Sequence, residues 1–188
     1  RTQRIFELTE QNLSATFPPA ESVACKPGCT YCCHLLFFAD ALTVFRVADW
    51  LKGNCPPEAV AGLKERLTAF IDGGYGLKET PRPACPLLVG GMCMAYDVRP
   101  LVCRAQNSLQ VSQCEEKHHG KRDMVTAHDI PLRIWVALSE GLAVGFAEAG
   151  LSGSESLEFA TALRIALDDP AAMDRWLAGE PVFEAAQW

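Results

Sequence analysis

Much of the usual catalytic vocabulary is missing from this chain. There is no Ser-His-Asp arrangement, no phosphate-cradling glycine loop and no dinucleotide fingerprint; the glycines at 73, 74, 90 and 91 read as turn residues. Internal repeats and low-complexity tracts are also absent. No apolar segment reads as long enough to span a bilayer, so no membrane attachment is expected. Basic residues are outnumbered, 17 Lys and Arg against 23 Asp and Glu, for a net charge of −6. That balance argues against a nucleic-acid partner, because binding phosphates requires a basic face.

Cysteine is what the chain has in quantity. Eight of its nine cysteines fall into two clusters: Cys25, Cys29, Cys32 and Cys33, then Cys85, Cys93, Cys103 and Cys114. Several thiols packed into one short loop cannot all bury themselves as small hydrophobes. They need oxidation to disulfides or a soft metal that takes thiolates. The count of nine is odd, and no apolar run with a small-residue cleavage site opens the sequence, so a secreted disulfide framework fits poorly. At 188 residues and 49% hydrophobic, the chain is long enough to fold around its own core without staples. The expectation is a cytoplasmic protein with reduced thiols, metal ions as its partners, and no nucleic-acid or membrane partner.

Hydrophobic periodicity predicts one mostly α-helical domain over 1–188, with the cysteine-rich metal-binding region at 25–115, C-terminal helices at 126–179 and at most a small β-hairpin. Ile5, Phe6, Leu8 and Leu13 suggest an N-terminal helix ending near Pro18-Pro19. Ala41, Val44, Phe45, Ala48 and Leu51 recur at helical spacing up to Gly53. A second helix opens at Pro56-Pro57 and runs through Val60, Leu63, Leu67 and Phe70 to Gly73. Residues 75–84 read as loop. Leu87 to Tyr96 carries the one strand signal, a hairpin about Gly90-Gly91. A short helical turn follows Pro100, while 105–125 is too polar to assign. Pro131–Ala149 is apolar on nearly all sides and reads as a central buried helix ending at Gly150. Ser152 and Glu155 have capping-box spacing ahead of the next helix, and Asp169-Pro170 precedes a last short one carrying Met173, Trp176 and Leu177.

Within the first cluster, Pro27-Gly28 predicts a tight turn whose backbone N–H groups point back at bound sulfurs. A helix starting just after it would put Cys29, Cys32 and Cys33 on one face. Adjacent cysteines diverge, however, so Cys32-Cys33 points to two nearby centres or a polynuclear one, and to more than one metal atom per chain. Two loops roughly fifty residues apart must close the site together, as they do in four-cysteine zinc sites and iron–sulfur clusters. Cys29, Cys32, Cys33, Cys85, Cys93 and Cys103 are the foremost ligands, with Cys25 and Cys114 next; Cys55 stands apart as a bystander.

Cys25-x3-Cys29-x2-Cys32-Cys33, Cys85-Pro86-Leu87 and Gly91-x-Cys93-x2-Tyr96-x2-Arg99-Pro100-x2-Cys103-Arg104 resemble the YkgJ-type cysteine-cluster family. That family is described as a zinc- or iron-chelating domain with a CxxCxxCC signature. The resemblance covers residues 25–115 and extends to Asn107-Ser108 and Cys114-Glu115, although the first spacing here is three residues rather than two. A related cluster occurs in flagellin lysine N-methylases, where the resemblance implies an iron–sulfur centre. The chain reads as too short for that enzyme's other parts, so the methylase activity is not carried over.

Arg99 and Arg104 flank the second cluster, where they either offset thiolate charge or clamp an anion; Arg99 reads equally as a tether to backbone carbonyls. Tyr96 and Asp97 read as structural. His34, His118 and His119 lie near cysteines but read first as ordinary loop residues, and His128 as a helix-start residue beside Asp129. Two functions remain open. One is a metal-binding protein with a cysteine-ligated polynuclear centre (iron–sulfur cluster or zinc) for redox chemistry, metal handling or a metal-dependent reaction. The other is a structural zinc domain acting as a protein-interaction module. Eight thiols exceed the four one structural zinc needs, which favours the first.

Overall fold

The structure is a computed structural model that describes residues 22–74, 82–151 and 155–187. The expected N-terminal helix and Ser152 lie outside them. A 3-10 turn at Tyr31–His34 is followed by β1 (Phe38–Ala39), α1 (Ala41–Asn54), α2 (Pro57–Asp72), β2 (Leu88–Val89) and β3 (Met92–Cys93). Next come α3 (Leu101–Ala105), α4 (Val111–His118), α5 (Ile130–Glu148), β4 (Leu157–Glu158), α6 (Phe159–Asp168) and α7 (Ala172–Leu177). The fold is mostly helical, as expected, but it has two small antiparallel sheets where at most one hairpin was expected.

Asp40 starts α1, its carboxylate accepting from the Thr43 amide (2.9 Å) and hydroxyl (2.6 Å). Val44, Val47, Ala48 and Leu51 recur along one face and are almost wholly buried. Gly53 does not stop the helix, which runs one residue further, to Asn54. Pro57 then opens α2, whose Leu63 and Leu67 face inward. Helix α6 packs on both α1 and α2 and contributes Ala162 and Leu163 to the same core. Each fully buried leucine there contributes about 1.5–3 kcal/mol.

The expected capping box at 152–155 does not begin α6. The chain first pairs as β4 with β1, in the register Phe38↔Glu158 and Ala39↔Leu157, and the helix starts only at Phe159. Glu158 is the cap, its carboxylate accepting from the Ala160 (2.9 Å) and Thr161 (2.8 Å) amides. The β1–β4 pair had no sequence signal because two residues per strand carry no visible alternation. The predicted hairpin is present as β2–β3, with Leu88 opposite Cys93. Within 105–125, α4 is a regular helix with no fully buried residue, which explains its lack of an apolar pattern.

Helix α5 overturns two expectations. It occupies the predicted stretch, yet only Pro131 and Phe146 are buried, while Ile130, Leu132, Val136 and Val144 are exposed. Its 19 residues, with a mean hydropathy of 1.4, are long and apolar enough to cross a membrane by length and composition, and only 11% of that stretch is buried. An apolar helix need not be a central one: α5 packs on α3 and reaches the core through Phe146, whose ring meets Trp176 edge-on at 5.7 Å.

Candidate metal centre

The first cysteine loop is shaped by its backbone. Cys29 N–H donates to Lys26 O (3.0 Å), closing a turn with Pro27 and Gly28 at its centre. Gly28 has φ of 85°, the left-handed value this turn needs and glycine supplies. The helix that follows is a single 3-10 turn, Tyr31–His34, not an α-helix beginning at Cys29. Cys29, Cys32 and Cys33 therefore do not share one α-helical face.

Three fastenings draw the cysteine-bearing segments together. The Cys85 amide donates to Cys33 O (2.7 Å), joining the two clusters through their backbones. The Ala24 amide donates to Ser108 O (2.7 Å), and Ser108, fully buried, donates its hydroxyl to Gln110 O (2.8 Å). Asn107 donates to Ala105 O (3.1 Å) and His128 O (3.0 Å) while accepting from the His128 amide (2.8 Å). His128 is thus a tie at the start of α5. Cys103 is carried by α3, immediately after Pro100, and Cys114 by α4, which packs on the 3-10 turn.

Two cavities result. One, of about 340 Å³, is lined by Cys29, Cys32, Cys33, Cys85, Cys93 and Cys103, together with Tyr96, Arg99 and an apolar wall that includes Leu35, Phe37 and Trp135. The other, of about 280 Å³, is lined by Cys25, Cys29, Cys32 and Cys114, with Tyr31, His34 and His118. All eight expected cysteines line one cavity or both. Cys55 lines neither; it caps α1 and packs against the core. All nine cysteines are free. Among the described residues, no three Cys, His, Asp or Glu side chains stand where they could hold a metal ion as they are. The sulfurs gather along the cavity walls without converging on one point.

Burial and neighbouring charges shift most of these thiols upward. Burial pushes Cys85 up to about 12 and Cys103 well above the ordinary thiol value, and neighbouring thiolates raise both further. Cys32 is the one exposed cysteine, yet its S–H donates to the Cys33 sulfur, which raises Cys32 and lowers Cys33. Burial also raises Cys25, Cys29 and Cys93. An opposing influence recurs at three positions: the amide two residues on bonds the sulfur, Tyr31 at Cys29, Leu87 at Cys85 and Ala95 at Cys93. Such N–H groups favour the thiolate, the form a metal requires.

Arg99 resolves into both of its expected roles. Its Nε donates to Tyr96 O (3.1 Å) and its guanidinium lies 3.9 Å over the Tyr96 ring. Its charge also favours the thiolates of Cys32, Cys93 and Cys103. Arg104 donates to Asp97 O (2.9 Å) across the turn. Sequence reasoning missed the pairing of His34 with His118, whose rings lie 4.5 Å apart, and the apolar wall completed by Trp135. The placement of His34 directly after Cys32-Cys33 was the available signal for the first; nothing local signals the second. Comparison with known protein families, curated proteins and solved structures returns no match.

Proposed function

We propose that this chain is a metal-binding protein whose eight clustered cysteines hold more than one metal atom, as an iron–sulfur cluster or zinc, for redox chemistry or metal handling in a reducing, cytoplasmic setting. One observation carries the reading: cysteines from segments some fifty residues apart line adjoining cavities, with their backbones bonded at Cys33 and Cys85. The donor set fits. Thiolates are the soft ligands that zinc and iron–sulfur centres take, amides aimed at three sulfurs lower the cost of ionising them, and Arg99 offsets part of the accumulated charge. A bound ion would draw in sulfurs now dispersed along the walls. It would supply electron storage if iron–sulfur, or crosslinking and Lewis acidity if zinc. The YkgJ-type resemblance belongs to the same proposal.

Metal analysis and visible absorption of anaerobically purified chain test it. More than one iron or zinc per chain is expected, with the content reduced on replacing Cys33 or Cys103 by Ser. Full metal content in Cys103→Ser, or metal-free wild type that refuses reconstitution, overturns it. The second reading, a structural zinc domain acting through a protein partner, draws on the exposed apolar residues of α5, and a single zinc per chain would favour it.

A further inference from the structure

The two cavities differ in more than position. Of the two, Cys33, Cys85, Cys93 and Cys103 line the larger, whose other surfaces are apolar apart from Arg99 and a few neutral polar groups; Cys33 and Cys85 also border a cleft of about 20 Å³ that His34 shares. Cys25 and Cys114 line only the smaller, beside two imidazoles. Cys29 and Cys32 line both and so form the partition.

His34 supplies the decisive chemistry on the outer side. Its Nδ1 lies 2.7 Å from Arg82 O, and a carbonyl can only accept, so Nδ1 carries the hydrogen. In the neutral imidazole that arrangement leaves the lone pair on Nε2. A histidine fixed by a backbone carbonyl in this way is oriented as metal-ligating histidines are.

We propose that the chain holds two separate centres of unlike donor set, an inner one of Cys33, Cys85, Cys93 and Cys103, and an outer single-ion site for a divalent metal of the zinc class held by Cys25, Cys29, Cys114 and His34. This rests on the metal-binding reading above and sharpens it. The inner quartet is all thiolate, lies against apolar side chains and suits a closed site. The outer set exchanges one thiolate for a neutral imidazole, so the loaded site would carry one less negative charge. The outer cavity also has Lys117 on its lining, and His118 lies beside His34. Of the two partition cysteines, Cys29 is assigned to the outer set, and Cys32, whose S–H donates to the Cys33 sulfur, to neither.

The experiment is an anaerobic titration of the full, metal-stripped chain with cobalt(II) as a zinc probe, read by its visible spectrum and by mass spectrometry of the intact protein. Wild type should bind in two spectroscopically distinct steps, one four-sulfur and one with mixed sulfur and nitrogen ligands. Cys114→Ser and His34→Ala should each abolish the mixed step, halve the stoichiometry and leave the four-sulfur spectrum unchanged. The intact inner spectrum also shows that these variants have folded. Loss of both steps together in Cys114→Ser and His34→Ala overturns the division while leaving metal binding intact. A second step unchanged in His34→Ala, or a uniform four-sulfur spectrum in wild type, overturns the outer site as assigned. Wild type that takes up no cobalt overturns the metal-binding reading and this inference with it.

Discussion

Leu51, Leu63 and Leu163 have no exposed surface, whereas the 3-10 turn that carries Cys32 and Cys33 and the helix that carries Cys114 have half-buried residues but none fully buried. The first region, α1, α2 and α6, is held by apolar packing, with Lys52 donating to Ala166 O (2.8 Å) and an ion pair between Lys64 and Asp168 (2.9 Å) added on the outside. The second is held chiefly by single backbone bonds and ring contacts between short segments. Such contacts are worth about 0.5–1.5 kcal/mol each, against about 1.5–3 for one buried leucine. The 3-10 turn and α4 therefore have far less of their own to order them. Under the proposed function, ligation supplies the difference.

Metal removal should divide the molecule most sharply. Binding free energy at a structural zinc site is on the order of 10 kcal/mol and is largely folding free energy. Hydrogen exchange of the metal-loaded chain, before and after chelation, should lose protection in 22–35 and 107–118. Protection in α1, α2 and α6 should persist. A chain that exchanges uniformly after chelation would mean that the two regions are one cooperative unit.

Truncation within the packed region comes next. Leu163→Ala should cost about 2–5 kcal/mol in urea unfolding, because it leaves a cavity between three helices. Val144→Ala, on the exposed side of α5, should stay within about 0.5 kcal/mol. Comparable losses at both positions would show that α5 is covered in solution.

Arg66 is a strap between the regions. From α2 its Nε donates to Pro86 O (3.0 Å), and a terminal nitrogen lies 3.1 Å from the Met94 sulfur, so it holds the β2–β3 hairpin that carries Cys93. Arg66→Ala should cost about 1–3 kcal/mol and, in metal-free protein, speed alkylation of Cys93 more than that of Cys25. Equal acceleration at both cysteines would remove the strap from the account.

These contrasts mark what the residues disclose before any folding. The helices at 41–54 and 57–72 were legible because one side of each is buried, which imposes a period on the sequence; α4, with no fully buried residue, left none. The same signal misled at α5. An all-round apolar composition records that water is disfavoured, not that a neighbour in the same chain is available. The eight clustered cysteines were legible by number and spacing alone, since no core needs so many thiols. Their sorting into two cavities was not. It depends on the 3-10 turn placing Cys32 and Cys33 differently, and on the buried Ser108 pinning the loop near Ala24, a contact between residues far apart in sequence.

The smallest effect probes the joint between the regions. Asp40 lies between β1 and α1, and burial raises its carboxyl above the ordinary value, an influence that outweighs the hydrogen bonds from Thr43. Asp40→Ala removes the cap and should cost about 1 kcal/mol. Asp40→Asn keeps an accepting oxygen and carries no charge, so it should stay close to wild type. The two also differ in pH dependence. An acid whose folded pKa is raised binds its proton more tightly when folded, so wild type gains stability from it below the unfolded pKa. That contribution is lost as pH rises through the folded value. Asp40→Asn has no such proton to lose. The stability of wild type minus that of Asp40→Asn should therefore decline across the range just above ordinary carboxylate values and be flat beyond it. A difference that instead grows with pH would mean the ionised carboxylate is favoured in the fold, and that Asp40 serves α1 as a charged cap.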